Sequence, residues 1–462
     1  MNAGETAGQP GTPARKLFGT DGVRGVAGEL LTAQLALALG TAATLEVAGE
    51  HPRVLVIRDT RESGQMLEAA LAAGIAAAGG DVLLGGVLPT PAAPLLIARY
   101  ELDLAAVISA SHNPFADNGI KFFGADSFKL SDASEAAIEL RLGDEVGRPP
   151  SHPLGHRHPD GRRRIGSVRA MHGTHEDYLR ALHERFERLD LSGYDVLLDC
   201  ANGATYRAAP EIFRRLGAKV TALADAPDGR NINEGCGSTH VAALAGAVRD
   251  GGHDIGFAFD GDGDRVLAVD RSGEVVDGDE LIALATLHLR AHDRLSGGGV
   301  AVTVMTNYGF HTAMRDAGVE VATTAVGDRY VLEALRERGW SLGGEQSGHI
   351  IDMGFVPSGD GIASALLTLE ALAGGDLAER HAMDKLPQRL VNIRVADRDA
   401  AMASDDLTGA IADESAALEG RGRVLVRPSG TEQLVRVMVE APSDDETDAV
   451  CERLVAIVQA GC

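Results

Sequence analysis

Three stretches of this 462-residue chain repeat one local pattern, and that repetition limits the fold more than any other feature. Each is an apolar run, a polar or Gly turn, then an Ala/Leu-rich segment of helical length. They are RVLVIRDTRESGQMLEAALAAGIAAAG from Arg53, DVLLDCANGATYRAAPEIFRRLG from Asp195 and GVAVTVMTNYGFHTAMRDAG from Gly299. A second apolar run follows each: DVLLGG (81–86), AKVTAL (218–223) and VEVATTA (319–325). Short apolar runs bounded by turn residues read as buried strands, and strands alternating with helices define the α/β class. Three copies predict three related α/β domains.

The intervening segments place the borders. GRPPSHPLGHRHPDGRRRIGSVR (147–169) is Pro/Gly/His/Arg-rich and aperiodic, which reads as a solvated connector rather than a metal site. A second border is expected near Gly374 and Gly375. Beyond it lie QRLVNIRVA, a helical stretch over 403–418, GRVLVRPSGTEQLVRVMVEA and a last helix, which together describe a smaller α+β domain. The expected organisation is a leader over 1–15, α/β domains over 16–160, 161–259 and 260–378, and an α+β domain over 379–462. The leader, MNAGETAGQPGTPAR, has neither a basic start nor an apolar core, so it reads as disordered rather than as a secretory signal.

Charge and composition exclude whole partner classes. Sixty-seven acidic residues against 43 basic ones give a formal charge of -24, the wrong sign for a nucleic-acid binder. No apolar stretch is long enough for a bilayer, so no membrane partner is expected. Cys200, Cys236, Cys451 and Cys462 are far apart, with no C-x-x-C. That suits a reducing, cytoplasmic setting and disfavours a disulfide framework or a zinc site. An anionic substrate would need a local basic pocket.

Five motifs carry candidate chemistry. DGDGDR (260–265) follows the apolar run DIGFAF and places three carboxylates at alternate positions. Asp260, Asp262 and Asp264 can converge on one hard cation, Mg²⁺ being favoured, or form an acidic turn. An EF-hand loop would need Gly and Glu where Arg265 and Arg271 stand, so that reading fails. RPSGTEQLVR (427–436) offers backbone N–H groups, hydroxyls and two guanidinium forks to an anion, although PSGT can equally be a plain hairpin turn. GGEQSGHI (343–350) sets a carboxylate, an amide, a hydroxyl and an imidazole on a Gly-bracketed loop suited to sugar hydroxyls. ISASHNPFADNGIK (108–121) ends an apolar strand in Ser111, His112 and Asn113, with Lys121 close behind. α/β folds place ligands at such carboxyl ends of strands. Alone, Ser111 is either a nucleophile or a turn serine. FGTDGVRG (18–25) is a Gly-rich turn bearing Arg24. Neither a Walker loop nor a G-x-G-x-x-G fingerprint is present.

In chain order, from FGTDGVRG through SASHNP, DGDGDR and GEQSGH to RPSGTEQLVR, and spanning nearly the whole chain, the five motifs resemble those of the α-D-phosphohexomutases. FGTDGVRG, SASHNPFADNGIKFF and GGEQSGHII look most like the bacterial glucosamine-phosphate branch, because the glucose- and mannose-phosphate enzymes more often carry Met where Gln346 stands. The resemblance implies four domains around a central cleft. It also implies interconversion of glucosamine 6-phosphate and glucosamine 1-phosphate, a step in supplying amino-sugar and cell-wall precursors. On that reading phosphorylated Ser111 is the phosphate carrier, with a hexosamine bisphosphate as intermediate or activator. One Mg²⁺ is expected on Asp260, Asp262, Asp264 and the phospho-Ser111 oxygen. Arg24 and Arg265 would steady the phosphoryl charge, and His112, Lys121 and His349 are acid/base or electrostatic candidates. Glu345 and Ser347 would hold sugar hydroxyls. Arg427, Ser429, Gly430, Thr431 and Arg436 would clamp the other phosphate, with Arg329 as a further candidate. The partner is then a small sugar phosphate, and the protein a monomer or homodimer. The family usually has Pro after SGTE, where this chain has Gln433. Alternatives are a glucose- or mannose-phosphate mutase, a sugar-phosphate sensor and a phosphatase.

Overall fold

The protein is described by a computed structural model covering residues 17–19, 21–47, 51–142, 164–429 and 433–460. It divides into two compact units. One runs to Thr303 and resumes over Ala322–Arg380; the other combines Val304–Val321 with His381 onward. The leader, most of the His/Arg-rich connector, and Gly430 and Thr431 of the proposed clamp lie outside the described residues.

Each repeat forms the elements its pattern predicts. In the first, the strand Arg53–Arg58 leads into the helix Ser63–Ala77 and the strand Asp81–Val87. The second has Asp195–Asp199, Ala208–Arg215 and Lys219–Leu223, and the third has Gly299–Thr303, Tyr308–Asp316 and Glu320–Thr324. Runs such as Val54–Ile57 are fully buried because a parallel strand is covered on both faces.

The first sheet has seven strands. Its central strand is Leu104–Ile108, parallel to Arg53–Arg58, which is in turn parallel to Asp81–Val87. Leu104–Ile108 is buried at every position, and the chain then returns antiparallel as Asp117–Gly124. The serine motif is therefore the loop of a hairpin. FGTDGVRG forms two more antiparallel strands, Phe18–Gly19 and Gly22–Val26, the second lying on Asp117–Gly124. At the opposite edge Val168–Ala170 pairs with Asp81–Val87, so this sheet continues past the border expected at 160.

The second sheet has five strands, with Ile255–Phe259 parallel to Asp195–Asp199 and antiparallel to Val266–Asp270. DGDGDR is the turn of that second hairpin. The border expected at 259/260 cuts through it, and sheet continuity carries this domain to Val275–Val276. In the third sheet Gly299–Thr303 runs parallel to Leu342–Gly344, which turns back as Ile350–Asp352. The fourth, in the second unit, is antiparallel, with Leu434–Glu440 between Gln388–Arg394 and Arg423–Pro428. Its core face is formed by Ile393, Val435, Val437 and Val439 against Val450, Leu454 and Val458 of the last helix. Among the described residues no helix is long and apolar enough to cross a membrane.

One buried polar pair ties a helix of the second domain to one of the third. Asp360 caps Gly361–Leu372 by accepting from the Ala363 N–H, and the Tyr178 hydroxyl lies 3.0 Å from both its carboxylate oxygens. Burial raises the Asp360 carboxyl to about 7. Because the folded value lies above that of an unfolded aspartate, the folded state binds the extra proton. Its stabilisation is complete below the unfolded value and is lost as pH rises towards 7. Asn at this position mimics the protonated acid, so the melting temperature of Asp360→Asn relative to wild type should rise as pH goes from about 4 to about 7.5. Parallel melting curves across that range would refute the assignment.

Candidate active site

Ser111 stands just beyond the buried end of Leu104–Ile108, 1% exposed, with φ 50. A non-Gly residue enters that left-handed region only when its surroundings hold it there. Beneath it lies Arg61, fully buried and matched in charge by Asp59, whose Oδ2 accepts from Nε at 2.8 Å. The rest of the guanidinium donates to the carbonyls of Ser111, Asn113, Pro114 and Asp117. On the other side of the loop, Ser109 donates to Asp59 at 2.6 Å and accepts from the Ser111 N–H at 3.0 Å. Ser109 is thus a structural member, while the Ser111 hydroxyl points outward and donates to Asp260 Oδ2 at 2.5 Å.

Asp260, Asp262 and Asp264 are all buried, and oxygens of the three lie within 4.8 Å of one another. Glycine makes this possible. A Cβ on Gly261 would come within 2.5 Å of the Ser111 carbonyl oxygen, and Gly263 has φ +71. Burial together with the charges of Asp264 and Asp262 pushes the Asp260 carboxyl well above its ordinary range. Burial alone would raise Asp264 too, but His349, Lys121 and Arg265 outweigh it and hold Asp264 low. Asp262 Oδ1 and Asp264 Oδ1 are buried without a hydrogen-bond partner. An all-oxygen donor set with unpartnered buried carboxylate oxygens fits a hard divalent cation.

Cations surround these acids. Lys121, on the returning strand, reaches Asp262 at 2.7 Å, Asp21 at 3.6 Å and Asp264 at 3.7 Å. Burial would lower its ammonium, but the three carboxylates reverse this and keep it charged. Asp21 also pairs with Arg24 and with Lys129, and Lys129 bridges to Asp328. His349 stands 3.7 Å from both Asp264 and Asp328. The result is a closed circuit of alternating charge: Asp264, Lys121, Asp21, Lys129, Asp328, His349. Arg265 Nη1 meets His112 Nδ1 at 3.1 Å, and that nitrogen is 3.5 Å from Ser111 Oγ. Burial and the charges of Arg265 and Arg24 lower the His112 imidazole, favouring its neutral form.

The sugar motif folds back as a tight turn. The Glu345 N–H donates to the His349 carbonyl at 3.0 Å, and Gly348, at φ +88, fits where a Cβ would come within 2.0 Å of the Val266 carbonyl oxygen. Val266 follows the aspartate turn, so the two loops are locked together. Glu345 is half-buried, its Oε1 accepting from the Gly327 N–H at 2.9 Å, and Ser347 is exposed. Arg329 pairs with Asp132 and Glu135 in a groove of about 600 Å³ and is not drawn to Ser111 by any of these contacts.

The second unit carries the remaining candidates. Arg427 and Arg436 are direct cross-strand partners, an arrangement that like charges disfavour. Burial and the Arg436 charge both lower the Arg427 guanidinium, and Arg436 Nε is buried without a partner. Such a pair is suited to an anion. Ser429 is buried and its carbonyl accepts from Arg398. Gln433 uses its side-chain oxygen to accept from the Arg398 N–H at 3.2 Å, so the residue that departs from the family pattern braces the loop's exit.

Comparison with known proteins matches this arrangement across the chain. Profiles of phosphoglucomutase/phosphomannomutase alpha/beta/alpha domains I, II and III match residues 15–145, 176–273 and 277–390, and the C-terminal domain profile matches 390–457. The chain belongs to the phosphoglucomutase/phosphomannomutase family. Among its relatives, a phosphoglucosamine mutase of Desulforudis audaxviator is 50% identical over 447 residues, 96% of this chain and 97% of that protein. One from Listeria monocytogenes is 45% identical over 454 residues, 96% of this chain and 98% of the other. A crystal structure of a phosphoglucomutase/phosphomannomutase family protein from Burkholderia thailandensis has a TM-score of 0.79 at 25% identity, covering 96% of this chain and 97% of that one.

Within this phosphohexomutase, motif reading alone did not bring in Asp59, Arg61, Asn233, Asp21, Lys129 or Asp328. Asp59 and Arg61 read as the polar turn of the first repeat. Only the fully buried arginine, a residue type almost never buried unless paired, marks them as more than a turn. Because Gly261 touches the serine loop, Gly261→Ala should displace Ser111, lowering turnover about a hundredfold and also lowering the melting temperature. Steady-state kinetics and a thermal melt check this, and wild-type turnover would refute it.

Proposed function

We infer that this phosphohexomutase interconverts glucosamine 6-phosphate and glucosamine 1-phosphate through a phosphorylated Ser111. The observation that carries this is the buried, left-handed Ser111 set 2.5 Å from an aspartate triad, in a chain 50% identical to phosphoglucosamine mutases. In the first half, the Oγ–P bond of phospho-Ser111 breaks as a bond forms between phosphorus and the sugar's C1 oxygen, and the hydroxyl proton of that oxygen passes to Ser111 Oγ. The product is glucosamine 1,6-bisphosphate. After the intermediate turns over, Ser111 Oγ takes the 6-phosphoryl group, the C6 oxygen regains a proton, and the enzyme is phosphorylated again.

Asp260, Asp262 and Asp264 would hold Mg²⁺, which when bound supplies positive charge for the phosphoryl oxygens. Arg24 and Arg265 would take up charge on the transferring group. Their Nε atoms are buried without hydrogen-bond partners, which supports a role towards an anion. Lys121, kept charged by its three carboxylates, gives up its proton poorly and would act as a fixed positive charge beside the transferring group. His349 would orient Asp264, which its Nδ1 faces at 3.7 Å. Glu345 and Ser347 would bind sugar hydroxyls. Arg427, Ser429 and Arg436, with Gly430 and Thr431, would bind the phosphate that is not reacting.

Ser111→Ala should lack the phosphoryl mass on intact-protein measurement and lose mutase turnover; an active Ser111→Ala would sink the mechanism. Among the three 6-phosphates, glucosamine should have the highest kcat/KM, and preference for mannose or glucose would overturn the substrate assignment. Removing one of a pair of phosphate-binding arginines is an effect on binding. Arg436→Gln should therefore raise KM about tenfold or more, with kcat less affected.

A further inference from the structure

Ser111 is held from behind as well as faced from the front. Its carbonyl oxygen accepts from Arg61 Nη2 at 2.9 Å and from Asn233 Nδ2 at 2.9 Å. The same two donors take the Asn113 carbonyl at 2.9 and 3.0 Å. Arg61 belongs to the first domain. Asn233 belongs to the second, at φ 59, with its own N–H on the Ala201 carbonyl at 2.9 Å. Four hydrogen bonds from two domains thus converge on two carbonyl groups, and both donor side chains are buried. The Asn233 amide also lies over the aspartate turn, where a Cβ on Gly261 would come within 2.8 Å of Nδ2. One amide therefore lies against both the serine loop and the aspartate turn.

We propose that Arg61 and Asn233 are positioning residues for phosphoryl transfer. They fix the Ser111 peptide across the border between the first two domains and so set Oγ against Asp260. This rests on Ser111 being the phosphate carrier. The donor chemistry at position 233 is restrictive. A terminal NH₂ serves two acceptors at once, a hydroxyl has one proton to give, and a carboxylate would face two carbonyl oxygens with none. Arg61 is similarly constrained, because only a guanidinium fork reaches several carbonyls while its Nε stays on Asp59.

Asn233→Asp is nearly isosteric and reverses the donor. In the full-length enzyme with Mg²⁺ and a sugar bisphosphate, it should lower kcat about a hundredfold while KM for the sugar phosphate stays within about threefold. Phosphorylation of Ser111 by the bisphosphate, followed by intact mass, should slow in parallel. A folded Asn233→Asp enzyme with wild-type kcat, or one whose only change is a higher KM, overturns the proposal. If the aspartate variant does not fold, Asn233→Ala and Arg61→Lys carry the test well below their melting temperatures. Reduced turnover at unchanged KM then supports the proposal, and wild-type turnover overturns it. Full activity in Ser111→Ala would instead defeat the underlying mechanism, an outcome distinct from any result at Asn233.

Discussion

Three buried carboxylates with oxygens inside 4.8 Å of each other are the constraint around which the first unit is organised. Like charges so close, away from water, cannot all persist without compensation. Each neighbour meets part of that demand. Lys121 stands on the strand returning from the serine loop, Arg265 follows the triad directly, and His349 comes from the third domain. Those cations then require their own partners, which brings in Asp21, and with it Lys129 and Asp328. The candidate site is therefore continuous with the electrostatics that join the domains, and a substitution at Lys129 would reach it through Asp21.

Much of the site was legible in the sequence because its chemistry is concentrated in short motifs. DGDGDR sets three candidate ligands at alternate positions, and SASHNP stops a buried strand with a candidate nucleophile. The three repeats were legible because apolar runs and helical segments differ in period. What was hidden depends on direction. The sequence does not say that the arginine of DTRESG turns inward, or that Asn233, 122 residues from Ser111, reaches the same carbonyl. The hairpins were missed for a related reason. Strand–helix alternation is the dominant pattern, and DNGIKFFG reads as part of a loop until its pairing with Leu104–Ile108 is seen.

The second unit shows what register adds to a motif. Arg427 and Arg436 lie nine positions apart in sequence and become nearest neighbours only through strand pairing. The same register sets Asn392 on the other side of Arg436, making a cross-strand row of an amide and two guanidinium groups. Gln433 shows a limit of judging one position by its relatives. A proline there would stiffen the backbone, whereas the Gln433 side chain accepts from the Arg398 N–H.

Both reactive loops are hairpin turns rather than strand-to-helix crossovers, and this bears on how such a site can change over time. In a hairpin the two strands are pinned by their own ladder, so Lys121 keeps its place opposite Val107 whatever occupies the loop between them. Side-chain exchanges within 112–116 would alter the polarity around Ser111 without dislodging the lysine, although the backbone there is held by Arg61 and Asn233. The aspartate turn has the opposite character. Its short span is pressed between glycines and neighbouring carbonyls, which leaves almost no sequence freedom. Side chains beyond glycine are therefore excluded at positions 261 and 263 of the aspartate turn, whereas the serine loop is bounded by its ladder.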